Sequence, residues 1–289
     1  MNANISAIRN LRPQIPKQNR RGVLESIRAS DTNTNSLEVG INILPHQSLL
    51  KRNWKEAIGT ILFEDEALLV LDKKRGVLSH KTEMPLELGL IESIRLCKKD
   101  NQLRLVHRLD KSTSGVILIA KTKLALLELQ KQMGLGQIVK KYYSIASGTW
   151  PSCWKREQLI CAPQTKGPNS NDGRVCIRKN GFLSQTAIMK LRGWKGCALL
   201  IVMPLTGRTH QIRLHCNHIG LPVFGDTKYG PHSNSVSPNC PMLHASSLSV
   251  LHPHRLERLT FTSPLPFQFD NFLEQLEDKI KFLSLTPPN

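Results

Sequence analysis

Several absences in this sequence narrow what it can be. It has no run of about 18 apolar residues, so no predicted helix spans a membrane. No apolar signal-peptide core follows the start, which predicts a cytoplasmic protein. Arg9, Arg12, Lys17, Arg20 and Arg21 all precede the first acidic residue, a pattern that also fits an organelle-targeting extension. No two of the seven cysteines form a CxxC pair, which argues for reduced thiols and removes the cysteine-type zinc sites. No internal repeat is visible. Acid is scarce, with 22 Asp and Glu against 40 Lys and Arg.

Positive charge is what the chain holds in surplus, at a net +18. Such a surplus points to a polyanionic partner, because each phosphate neutralised by Lys or Arg releases condensed counterions. Nucleic acid fits better than a membrane surface, since no basic amphipathic helix stands out. Hydrophobic residues make up 40% of 289, enough for a real core. Residues 1–55 are rich in Asn, Ser, Arg and Pro and have weak periodicity, so they read as a flexible basic extension. Residues 56–289 read as the functional domain, ending in a helix whose core-facing stripe is Leu273, Leu276, Ile280 and Leu283.

Within that domain the texture is mostly strand. Ala67–Leu71, Val116–Ala120, Ile138–Gly148, Leu243–Val250 and Leu259–Thr262 are short apolar or alternating runs. Gln185–Leu191 and Ala198–Met203 form a predicted hairpin with Arg192–Gly196 as its loop. Leu124–Met133 has helical spacing and stops at Gly134, while Thr206–Ile219 reads as a loop entering a helix. Many short strands with few helices between them predict an α+β fold. Its sheet would be mixed but mainly antiparallel, with peripheral helices.

Three stretches carry residues capable of chemistry. In "HRLDKSTSG" the carboxylate of Asp110 precedes a turn and a buried strand. Asp at such a turn often serves as a cap. As a reacting group it would need a guanidinium beside it, because desolvation disfavours the charged form unless a cation opposes it. In "TGRTHQIRLHCNH", Arg208, His210, Arg213, His215 and His218 crowd together. His215 and His218 have metal-ligand spacing, but no carboxylate follows within the helix, so a basic helix end facing phosphate or carboxylate is the more economical reading. Tyr142 and Tyr143 follow two lysines on a strand, so one ring packs inward and the other face is open to stack a base.

Taken together, these stretches resemble the RluA-type pseudouridine synthases. "HRLDKSTSG" (His107 to Gly115) is similar to that family's catalytic-loop signature, H-R-L-D-x-x-T-S-G. "GRTHQIRLH" with "IGLPVFGDTKYG" resembles its second signature. "ILFEDEALLVLDKKRG", "MLHASSLSVLHP" and "FTSPLP" resemble its entry strand, closing segment and end. The resemblance implies an isomerase that converts chosen uridines in rRNA or tRNA to pseudouridine around an RNA-binding cleft, with no cofactor or metal, as a monomer. It assigns Asp110, Tyr142 and Arg213 to catalysis: the aspartate, the tyrosine that stacks on the flipped uracil, and the arginine paired with the carboxylate. Arg108 would fill the space the base vacates, and His107, Thr113, Arg208 and His210 would line the substrate side. One departure is plain. The family's usual Asn-Lys-Pro-x-Gly is here Asp72-Lys73-Lys74-Arg75-Gly76, and residues 1–55 lack the S4 pattern that many relatives carry.

Overall fold

The computed structural model describes residues 57–81, 88–167, 174–194, 196–230, 240–255 and 257–275. The expected basic extension at 1–55, and Leu276, Ile280 and Leu283 of the terminal stripe, lie outside them.

Two runs of apolar residues form adjacent inner strands near one edge of a large sheet. β2 (Leu68–Lys73) and β4 (Ser114–Ala120) are almost wholly buried. Side chains alternate across a strand, and here both faces are covered. Leu69, Leu71, Ile117 and Ile119 enter one core layer, while Leu68, Val70, Val116, Leu118 and Ala120 enter the other. That double burial explains why these strands show an unbroken hydrophobic run instead of alternation. Helix α1 (Leu90–Lys98) covers the first layer with Leu90, Ile91 and Ile94. Helix α2 (Lys123–Gly134) covers the second with Ala125 and Leu129. Thr122 starts α2 by accepting the N–H of Ala125 at 3.1 Å, which satisfies one otherwise unpaired donor of the first turn.

The other strands are β1 (Gly59–Glu64), β3 (Arg104–Leu105), β5 (Val139–Ser147), β6 (Glu157–Cys161), β7 (Gln164–Lys166), β8 (Val175–Ile177), β9 (Gln185–Trp194), β10 (Cys197–Pro204), β11 (Leu243–Leu251) and β12 (Arg258–Thr262). Ten strands form one sheet in the order β1-β2-β4-β11-β5-β10-β9-β6, with β12 on β11 and β3 on β4. β7 and β8 form a separate pair. Every named pair is antiparallel except β11 with β4, which run parallel through His244↔Ser114 and Ala245↔Gly115. The fold is therefore α+β with a mixed, mainly antiparallel sheet, as expected.

That parallel joint depends on a glycine. Gly115 has φ +112, and a Cβ there would stand 2.2 Å from the carbonyl oxygen of Ala245. Ser114 Oγ and His244 Nδ1 hydrogen-bond across the same joint at 3.0 Å.

One boundary differs from the sequence expectation. The hairpin loop expected over Arg192–Gly196 is mostly strand, since Arg192, Gly193 and Trp194 pair with β10. The TGRTH stretch is a loop entering a helix, as expected; α3 (Gln211–His218) starts at Gln211, after His210 takes a left-handed conformation with φ 51. Helix α1 and the β7–β8 pair had not been anticipated. Helical residues 267–275 bury Phe269 in a third cluster with Ile145 and Met242, against which Leu273 packs. Among the described residues no helix is long and apolar enough to cross a membrane.

Candidate active site

The segment before β4 is held from three sides. Gly76 N–H donates to Lys111 O at 2.8 Å. Ser79 Oγ donates to Leu109 O at 2.5 Å and receives Leu109 N–H at 3.0 Å. His107 Nε2 accepts the N–H of Leu118 at 3.1 Å, so the ring ties the loop to the strand it precedes. Burial, with the charge of Lys140 adding to it, pushes the His107 pKa down to about 3, so this imidazole is neutral and structural. Thr113 N–H donates to Asp110 O at 3.0 Å and closes a tight turn. That turn presents the Asp110 side chain, about a quarter exposed, to an open cleft of about 440 Å³.

Across the cleft, α3 delivers Arg213 from 103 residues away. Its guanidinium makes a fork on Asp226, Nε to Oδ2 at 2.7 Å and Nη2 to Oδ1 at 2.6 Å, and extends Nη1 to Asp110 Oδ2 at 3.3 Å. One arginine thus bridges two carboxylates. Burial works against its charge, but Asp226 and then Asp110 more than reverse that, so its pKa is raised. Burial would raise the pKa of Asp226, yet Arg213 and the backbone N–H groups of Lys228 and Tyr229 lower it overall. The Arg213 guanidinium also lies over the Tyr229 ring, 5.3 Å from its centroid. Tyr229 Oη accepts the N–H of Val175 at 3.0 Å and shares a 2.8 Å hydrogen bond with His210 Nδ1.

The loop leading to α3 is pinned by Gln211. Its Oε1 accepts from Thr206 Oγ1 at 2.7 Å and Arg208 N–H at 2.9 Å, while its Nε2 donates to Gln185 O at 2.8 Å and Thr186 Oγ1 at 2.9 Å. These bonds fix the first turn of the helix that aims Arg213.

Two further groups respond to the Asp110 carboxylate. The ring of Tyr142 is buried in the first core layer, while Tyr143 packs half-buried against a different cluster; strand alternation splits the two rings as expected, but the Tyr142 ring is covered here and not open. Burial and the nearby Asp110 charge push the Tyr142 phenol well above its ordinary value. Lys73 is fully buried, with Nζ donating to Val77 O at 2.8 Å and Lys74 O at 3.0 Å. Burial lowers its pKa to about 7, even though Asp110 pulls the other way.

The structure brings Asp110, Arg213, Tyr142 and His210 into one electrostatic neighbourhood. It does not bring all the sequence-predicted residues to the carboxylate. Arg108 is exposed at the cleft edge, 3.3 Å from His80. Arg208 engages Leu183 O at 3.1 Å and the ring of Phe182 instead. Thr113 is buried and its hydroxyl has no hydrogen-bond partner, so it sits behind the turn. His215 spends both ring nitrogens, on Thr186 Oγ1 at 2.8 Å and Ala162 O at 3.1 Å, which leaves none for a metal shared with His218. Asp226, Tyr229, Lys73 and Gln211 were missed as functional groups. Asp226 and Tyr229 stand in "GDTKYG", a stretch whose glycines and three ionisable side chains signal a constrained turn.

Comparison with known proteins places the chain among relatives. A family model described as RNA pseudouridylate synthase matches residues 67–218. The chain is 34% identical over 238 residues to "Ribosomal large subunit pseudouridine synthase C" of Buchnera aphidicola subsp. Schizaphis graminum, covering 79% of this chain and 74% of that protein. It is 35% identical over 225 residues to the protein of the same name in Haemophilus influenzae, 75% and 69% of the two chains. Among solved structures, Human RNA Pseudouridylate Synthase Domain Containing 4 superposes with TM-score 0.65 at 25% identity, covering 80% of this chain and 98% of that one.

Proposed function

The chain belongs to the RNA pseudouridylate synthase family, and from that premise we propose that it isomerises uridines of large-subunit ribosomal RNA, with Asp110 as the group that acts on the ribose. The observation that carries the assignment of Asp110 is the three-group bridge: a partly open carboxylate held by a guanidinium that a second, buried carboxylate fixes in place.

The reaction breaks the bond between C1′ and N1, turns the uracil and joins the sugar to C5. Nothing is oxidised and no group is lost. The chemistry falls to a carboxylate, whether it attacks C1′ or takes a proton from C2′, and either route needs that carboxylate aimed and unprotonated. Arg213 supplies aim and opposite charge. Asp226 prevents Arg213 from swinging away, because the fork of two parallel hydrogen bonds defines its plane. The target base is unreachable while stacked, so the nucleotide must leave the helix. Stacking on Tyr142 and occupation of the vacated space by Arg108 would offset that cost, which is a few kcal/mol. Arg108 is suited to this by its place at the exposed edge of the catalytic turn. The same reading takes the enzyme as a cytoplasmic monomer.

The test is chemical mapping of pseudouridine in transcribed large-subunit ribosomal RNA, with bulk tRNA as the comparison substrate. Wild type should mark discrete uridines in the ribosomal transcript. Asp110→Asn should mark none while still binding the RNA. Pseudouridine formation by Asp110→Asn would remove Asp110 from the chemistry.

A further inference from the structure

Arg75, half-buried, stands apart from the other cations near Asp110. It occupies the turn after β2, one residue before Gly76, whose N–H holds the backbone of Lys111 next to Asp110. It lines the same cleft as Asp110 and Arg213. Its Nη1 rests on Cys240 Sγ at 2.6 Å. Its Nε and Nη2 are shielded from solvent and have no hydrogen-bond partner. Among the described residues no carboxylate pairs with it. The contrast with its neighbours is sharp. Arg213 has its fork filled by Asp226, and Lys73 has its ammonium on two backbone carbonyls.

A buried charged donor left unpaired costs its full desolvation. A fold tolerates such a group at a place where a ligand completes it. The edge formed by Nε and Nη2 is the guanidinium edge that meets two oxygens in parallel, a shape that matches phosphate. A Cβ at the next residue, Gly76, would meet no atom within 4 Å, so the turn has free space beside it; Nε and Nη2 face protein here, and the side chain must turn that edge toward the cleft to meet a ligand. Arg75 also falls at the x of the Asn-Lys-Pro-x-Gly pattern that this turn resembles.

We propose that the Nε–Nη2 edge of Arg75 binds a backbone phosphate of the RNA strand whose uridine is presented to Asp110. This rests on the RNA-modifying reading above. Arg75 is then an anchor that sets affinity and register, and takes no part in bond making.

The experiment measures initial rates and direct binding on transcribed large-subunit ribosomal RNA across a series of KCl concentrations. Arg75→Ala should raise KM and Kd about three- to tenfold and lower the slope of log Kd against log salt by roughly 1, with the loss falling on KM and not kcat. Arg75→Lys should restore the slope but only part of the affinity, since it returns the charge without the fork. Cys240→Asp keeps Arg75 but places a carboxylate against it, and should weaken RNA binding in the same way. It also decides the matter if Arg75→Ala melts early. Wild-type KM, Kd and salt slope in both Arg75→Ala and Cys240→Asp would overturn the inference. Failure of the wild-type enzyme to make pseudouridine would instead strike the functional reading, and the binding measurements would still judge Arg75.

Discussion

Replacing Arg213 with lysine would keep one positive charge and lose the geometry. An ammonium cannot span Asp226 and Asp110 together, so Arg213→Lys should lower kcat by about 100-fold or more, the scale of a small misplacement of a catalytic group. Single-turnover rates would show it. Asp226 is as important to the fold as to the site. Asp226→Ala leaves a buried guanidinium with only its longer partner, and should cost about 3–5 kcal/mol in denaturant unfolding. Lys73 offers a test by pH. Its pKa in the folded chain, about 7, lies below the ordinary 10.5. Between those values the unfolded chain binds more protons, so this group makes stability rise with pH. Unfolding free energies measured from pH 7 to pH 10 should therefore show wild type gaining on Lys73→Met, and a constant difference would contradict the burial argument.

Among the elements, the parallel joint between β4 and β11 is the most exacting. Gly115→Ala would force a side chain into the left-handed region and into the carbonyl of Ala245. The expected loss is about 3 kcal/mol or more, read as a lowered melting temperature, with activity falling alongside because Asp110 hangs from the same strand. Elements of this kind were legible where pattern and burial coincide. β2 and β4 could be read because an apolar run bounded by turns has few other uses. Pairing partners could not, since the joint between Gly115 and Ala245 depends on backbone closeness that no periodicity records. The loop entering α3 could be read, but its exact first residue could not, because the bend at His210 is held by the tertiary bonds of Gln211 and Tyr229, which local propensity does not contain. Helix α1 escaped notice because its amphipathic face makes sense only against Leu69 and Ile117.

For the whole molecule, the surplus of cations should govern RNA affinity. Log Kd should climb linearly with log salt, by roughly 0.7–0.9 per phosphate contacted. A flat dependence would mean the charge serves something other than RNA. The site followed the same division between legible and hidden. That Asp110 needs a guanidinium could be argued from its chemistry, but the choice of Arg213 over Arg208 came from the family resemblance. The clamp behind them, Asp226 with Tyr229, stayed hidden, since nothing in the order of residues says which acid a shared arginine will grip. The joint between β4 and β11 has a last consequence, in time. Ser114 finds its partner His244 across 130 residues. During synthesis Asp110 therefore emerges well before the strand that seats its loop. A nascent chain halted before Leu243 carries the catalytic loop without the β11 partner of Ser114 and Gly115, and that seat can form only once those later residues have been made.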